Sequence, residues 1–280
     1  MKEEIIQFIG EKEGPTSIIL VGVHGDEKCG AEAFERMLPT LEIEAGRVLF
    51  GYGNPRAISA DKRFMEADLN RMFKCDDLIG EQEKKSYEYG RAQFLKKYLD
   101  QADVLLDIHA SFTEESSPFI ICEENAKEIV KYLPMDTVVS GFDRLEPGGT
   151  DGYMNGMGKI GICVECGYLG DSRSLRRAEE SIFAFLGARG HRSINMKLKK
   201  QSYICMNELY KAKTERFRLT KAFADFEEIE EGQPIGIDGI EEVWARKSGI
   251  ILFAKNTNQI DDEVFLFGEK KSSLARILQG

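Results

Sequence analysis

A chain of 280 residues suffices for one large domain, or a large and a small one, and 42% apolar content excludes global disorder. With 48 acidic against 38 basic residues the formal charge is −10, which excludes nucleic acid or an anionic membrane surface as main partner. No stretch approaches the roughly 20 apolar residues of a membrane span, and the segment opening at Met1 lacks the apolar run of a signal peptide. The six cysteines are scattered, mostly in apolar segments, so free thiols in a reducing cytoplasm are expected.

In chain order, strand-forming runs fall at Ser17–Val23, Arg47–Tyr52, Ala102–Ile108, Pro118–Cys122, Thr137–Ser140 and Lys159–Glu165. Helical periodicity separates them over Glu27–Leu38, Gln82–Leu99 and Arg173–Leu186. The alternation predicts an α/β fold, a mixed and mostly parallel sheet with helices on both faces. Ser59–Lys85 is charged and weakly periodic, and too long for a routine connection, so it reads as a functional loop. Near Gly190–Lys200 the character changes to short strand-like runs: Ser202–Leu209, Phe217–Lys221, Pro234–Ile237, Glu242–Ala245, Ile250–Phe253 and Val264–Phe267. These predict a small all-β domain over residues 196–280 behind a larger α/β domain of residues 1–195.

His24 closes the first apolar run and His109 follows the third. Carboxyl ends of buried strands are where open α/β sheets build ligand crevices. Glu27, three residues after His24, completes a His, Glu, His set, which suits zinc with one position left open for water. A turn histidine with a helix-starting acid explains His24 and Glu27 equally well when that pair is taken alone. Asp107 shares a strand face with His109 and is read either as an acceptor for its imidazole or as a solvated strand-end acid. His191, after Arg189-Gly190, reads as a surface residue capping a helix end.

Glu165 ends an apolar strand, where partial desolvation raises a carboxyl pKa and suits a general base; a buried ion pair is the other reading. Cys163 and Cys166 lie three apart on that strand, so their thiols diverge. Arg63, Asn70 and Arg71 in the long loop carry donors suited to an anionic substrate and an oxyanion.

Taken together, His24-Gly-Asp-Glu27, Asn54-Pro55, Arg63, Asp68-Leu-Asn-Arg71, Asp107-Ile-His109 and Val164-Glu-Cys-Gly167 occur in family order and resemble the succinylglutamate desuccinylase/aspartoacylase family, relatives of the M14 zinc carboxypeptidases. The resemblance implies a carboxypeptidase-like α/β domain followed by a smaller β-rich one. It implies one Zn²⁺ per chain on His24, Glu27 and His109, Glu165 as general base and acid, and Arg63 polarising the scissile carbonyl. Asn70 and Arg71 would hold the carboxylate of the amino-acid half of a small-molecule N-acyl amino acid, cleaved at its amide. The segment Glu263–Glu269 offers no tyrosine for the acyl end, so acyl group and amino acid stay unnamed, as does the choice between monomer and homo-oligomer. Two alternatives stay open: a zinc carboxypeptidase acting on a peptide or peptidoglycan stem, and a non-catalytic zinc-stabilised binding module.

Overall fold

The computed structural model describes residues 3–114 and 116–274; Met1 and Lys2, which open the stretch read for a leader, lie outside them. The first strands are β1 (Ile6–Ile9), β2 (Lys12–Val21), β3 (Ala45–Tyr52), β4 (Val104–Ser111), β5 (Phe119–Cys122), β6 (Thr137–Ser140) and β7 (Ile160–Tyr168). After them come β8 (Ser202–Lys211), β9 (Phe217–Leu219), β10 (Glu227–Ile229), β11 (Pro234–Asp238), β12 (Glu241–Trp244), β13 (Gly249–Leu252) and β14 (Glu263–Lys271). The helices are α1 (Lys28–Met37), α2 (Pro55–Ala60), α3 (Tyr87–Leu99), α4 (Lys127–Val130), α5 (Phe142–Leu145), α6 (Thr150–Gly156) and α7 (Arg173–Ala188).

One sheet of 11 strands runs β1-β3-β2-β4-β7-β5-β6-β8-β14-β13-β10, and β12-β11-β9 form a separate three-stranded antiparallel sheet. The centre of the large sheet is parallel, β3, β2, β4 and β7 running together, while β1 and β5 are antiparallel to their neighbours β3 and β7. The expected mixed, mostly parallel sheet with helices is therefore present. Beyond β6 the sheet continues through parallel β8 into antiparallel β14, β13 and β10, so strands of the last third extend the same sheet.

Strand β2 shows why helices cover both faces. Ile19 and Val21 enter one core with Phe34 of α1 and Ile182 and Phe185 of α7, while Ile18 and Leu20 enter another with Leu95 and Leu99 of α3. Both sets are fully buried, as the two-residue period of a strand between two apolar layers requires. Phe34 stacks on Phe50 with ring centroids 3.8 Å apart.

Four sequence readings shift. The strand carrying His109 extends past Ile108 to Ser111, and the strand carrying Glu165 continues to Tyr168. Helix α3 starts at Tyr87 rather than Gln82, because the Ser86 hydroxyl accepts from the Tyr89 amide and caps it there. His191 does follow a helix end but is fully buried rather than on the surface. Its Nδ1 meets the Ala45 carbonyl at 2.9 Å and its Nε2 meets Ser17 Oγ at 2.8 Å, so both ring nitrogens are satisfied inside.

The long loop is ordered by what it buries. Leu69, Met72, Phe73 and Ile79 pack against the α3 core. Glu88, fully buried in the first turn of α3, accepts from the backbone amides of Met65 (2.7 Å), Glu66 and Ala67 (both 3.2 Å) and from Asn54 Nδ2 (3.0 Å). One carboxylate thus fixes the backbone between Arg63 and Asp68. Glu88→Gln places an amide NH₂ among these donors and is expected to lower stability by about 2 kcal/mol, read as a lower urea midpoint at unchanged m value.

Candidate active site

His24, Glu27 and His109 converge at the carboxyl ends of β2 and β4. Val21 ends β2, and the turn that follows carries His24 and brings Glu27 to the residue preceding α1. A Cβ at Gly25 would lie 2.1 Å from the Ala57 carbonyl carbon, so only glycine lets this turn pack against α2. Glu27 makes no side-chain cap to its helix. Its carboxylate instead turns to the histidines, Oε1 at 2.7 Å from His24 Nδ1 and Oε2 at 2.9 Å from His109 Nδ1. The Ala110 amide adds a donor to Oε2 at 3.0 Å. All three residues are 2–3% exposed, and candidate ligand atoms of the three lie within 4.8 Å of one another.

Each imidazole has an acid behind it. His109 Nε2 lies 3.2 Å from Asp107 Oδ2, and His24 Nε2 lies 3.1 Å from Asp68 Oδ1. Such outer carboxylates fix the ring and leave Nδ1 directed at a cation. Burial opposes charge on every member. Even so, Glu27 and Asp68 move His24 up, Asp107 and Glu27 move His109 well up, and the two imidazoles hold the Glu27 carboxyl well below the usual range. The cluster stabilises positive charge at its centre. Two imidazoles and a carboxylate with this backing fit a divalent metal ion.

Glu165 stands beside this group because β4 and β7 pair in parallel register with His109 opposite Glu165. Burial, then the Glu27 charge, push its carboxyl up to about 7. Glu165 Oε2 is buried with no hydrogen-bond partner among the described residues, so the alternative of a buried ion pair is not realised there. On the same strand Cys163 faces the cavity and Cys166 the core under α7, so these thiols do diverge.

The seven residues singled out from the sequence, His24, Glu27, Arg63, Asn70, Arg71, His109 and Glu165, all line one cavity of about 650 Å³. Arg63 reaches it with Nη1 at 3.3 Å from Glu27 Oε1 and Nε at 3.6 Å from Asp68 Oδ2, its guanidinium 5.0 Å from the centre of the Phe112 ring. Arg71 donates from Nη2 to Glu146 Oε2 at 2.8 Å and to Glu263 Oε2 at 2.9 Å. Sequence reading missed both glutamates, since neither lies near a motif. It also missed the part played by Asp68, though its place two residues before Asn70 was a usable signal.

A mixed sheet that gathers a buried His, Glu, His group at the ends of its parallel strands defines an α/β protein with a candidate metal centre. The chain belongs to the succinylglutamate desuccinylase/aspartoacylase family: residues 13–188 match the succinylglutamate desuccinylase/aspartoacylase catalytic domain. It is similar to the succinylglutamate desuccinylase of Pseudomonas paraeruginosa, 41% identical over 70 residues, which are 23% of this chain and 21% of that enzyme. It is 25% identical over 183 residues to a probable aspartoacylase of Nostoc, covering 60% of this chain and 62% of that one. The chain is thus matched to less than two thirds of the length of these relatives. In structure it resembles the succinylglutamate desuccinylase of Vibrio cholerae, with TM-score 0.81 and 18% identity over 95% of this chain and 85% of that one. A succinylglutamate desuccinylase/aspartoacylase of Rhodobacter sphaeroides gives TM-score 0.70 and 20% identity over 96% and 89%.

Metal titration by calorimetry checks the centre. His109→Ala is expected to abolish stoichiometric binding of a divalent ion. Asp107→Asn keeps every ligand and is expected to weaken binding about 10–100-fold. Unchanged affinity in both variants would mean that the ion binds elsewhere.

Proposed function

We propose that this chain is a zinc-dependent amidohydrolase that cleaves an N-acyl amino acid into a carboxylate and a free amino acid. The observation that carries the reading is Glu165 Oε2, buried and without a partner among the described residues, on the same cavity as the His24, Glu27 and His109 cluster. Those three residues would hold zinc, which when bound lowers the pKa of water towards about 7 and polarises a carbonyl oxygen.

The protein's own groups do the rest. Glu165, its proton affinity raised by burial, takes a proton from the attacking water at Oε2 and returns it to the leaving nitrogen. Arg63 donates to the oxygen of the tetrahedral adduct. Glu27 and Asp68 hold its guanidinium near that point, and Phe112 covers it. Asn70 and Arg71 face the amine half of the substrate. In this reading the first domain supplies the chemistry, while the second helps close the substrate pocket through Leu209, Phe253 and Phe265, which line it.

The test is a screen of N-acyl amino acids and short peptides, with and without added zinc. Zinc-dependent release of the amino acid is expected. Turnover of peptides alone would favour a carboxypeptidase, and zinc-dependent folding without hydrolysis a binding module. Glu165→Gln should retain zinc and lose about 10²–10⁴-fold in kcat; full retained turnover would remove Glu165 from the mechanism.

A further inference from the structure

Arg71 is engaged before any substrate arrives. Nη2 donates to two carboxylates, and Nη1 donates to the Asn70 carbonyl at 3.2 Å. Glu146 follows α5 and Glu263 opens β14, so the pair closes on the arginine from two distant parts of the chain. Their side chains are 17% and 30% exposed, which leaves little water to screen them. Outside the cavity, the half-exposed Lys211 comes within 3.9 Å of Glu263.

A carboxylate brought to Arg71 by an acidic substrate would be the third on one guanidinium. The other cations that line the cavity already have partners: Arg63 is held by Glu27 and Asp68, and Lys255 by Asp262 at 3.1 Å. Asp143 and Asp151 line the same cavity and have no ion pair among the described residues. Burial, only partly offset by Arg71, pushes the Glu146 carboxyl up, and burial beside Asp143 pushes Asp151 up to about 6. Asn70 Oδ1, a buried acceptor on the same wall, has no donor among the described residues. Hydrogen-bond donors carrying positive charge suit a wall with this surplus of acceptors and negative charge.

We propose that the amine half of the substrate is a basic amino acid, whose side-chain ammonium is received by Glu146 and Glu263 while its carboxylate reaches Arg71. The substrate class is then an N-acyl diamino acid rather than an N-acyl acidic amino acid. This rests on the hydrolase reading above and deepens it by naming the charge that the pocket selects.

The experiment compares Nα-acetylornithine, Nα-acetylglutamine and Nα-acetylglutamate, which share an acyl group and differ in side-chain charge. The zinc-loaded protein is expected to favour the ornithine derivative over the glutamate derivative by at least about tenfold in kcat/KM. Glu146→Gln and Glu263→Gln should each shrink that ratio by about tenfold. Equal or faster turnover of the glutamate derivative, or an unchanged ratio in both variants, overturns the proposal. Calorimetric binding of free ornithine against free glutamate reads the same preference without catalysis. Tighter ornithine binding with no hydrolysis of any derivative would remove the hydrolase reading and keep the charge preference. Equal or tighter glutamate binding would remove the charge preference itself.

Discussion

Glu27 is a carboxylate in a place where burial works against its charge. A lone ion there would be strongly destabilising, and it is tolerable because two imidazoles and the Ala110 amide meet its two oxygens. Those imidazoles need support in turn, which Asp68 and Asp107 give from outside. Asp68 stands on the loop that Glu88 anchors through three backbone amides, and Asp107 lies on β4, buried along its whole length. The geometry of the centre therefore depends on two quite different scaffolds. One is a rigid central strand, the other a loop held by a single carboxylate. Removing either would leave buried charge unpaired, so the centre and the fold around it stand or fall together.

The same compact group separates two acids into two roles. Glu27 faces imidazoles and stays ionised; Glu165, one strand away, faces burial and the Glu27 charge and holds its proton to about 7. Neighbouring carboxyls with opposed environments are how one site keeps a ligand and a base distinct at one pH. The parallel register that sets His109 opposite Glu165 creates this contrast, so the acid–base property follows from strand pairing rather than from local sequence.

Much of this arrangement is legible in the amino-acid sequence. Apolar runs with a two-residue period mark the central strands, and histidines at their ends mark the crevice. The position of Asp107 two residues before His109 is enough to put both on one face. The readings that the structure moves shift for local reasons. Small Ala110 and Ser111 hide the end of β4, and the Ser86 cap decides where α3 begins. His191 reads as a surface cap because its partners, Ala45 and Ser17, lie 146 and 174 residues away. Glu146 and Glu263 are invisible for the same reason, pairing with Arg71 across 75 and 192 residues. Periodicity reports which face a residue takes; it does not report which distant residue meets it there.

The two walls of the cavity likewise come from different parts of the chain. His24, Glu27, His109 and Glu165 sit on β4, β7 and the turn after β2, where neighbouring parallel strands fix their spacing. The acids that meet Arg71 come from the residue after α5 and the start of β14, the latter reaching the pocket because β8 carries the sheet past β6 into the final third. Changing a charge at Glu263 alters the cavity without moving the strands that bear His109 and Glu165. On the proposed function, a sheet that continues past such a centre keeps one reaction geometry while varying the charge of what it accepts.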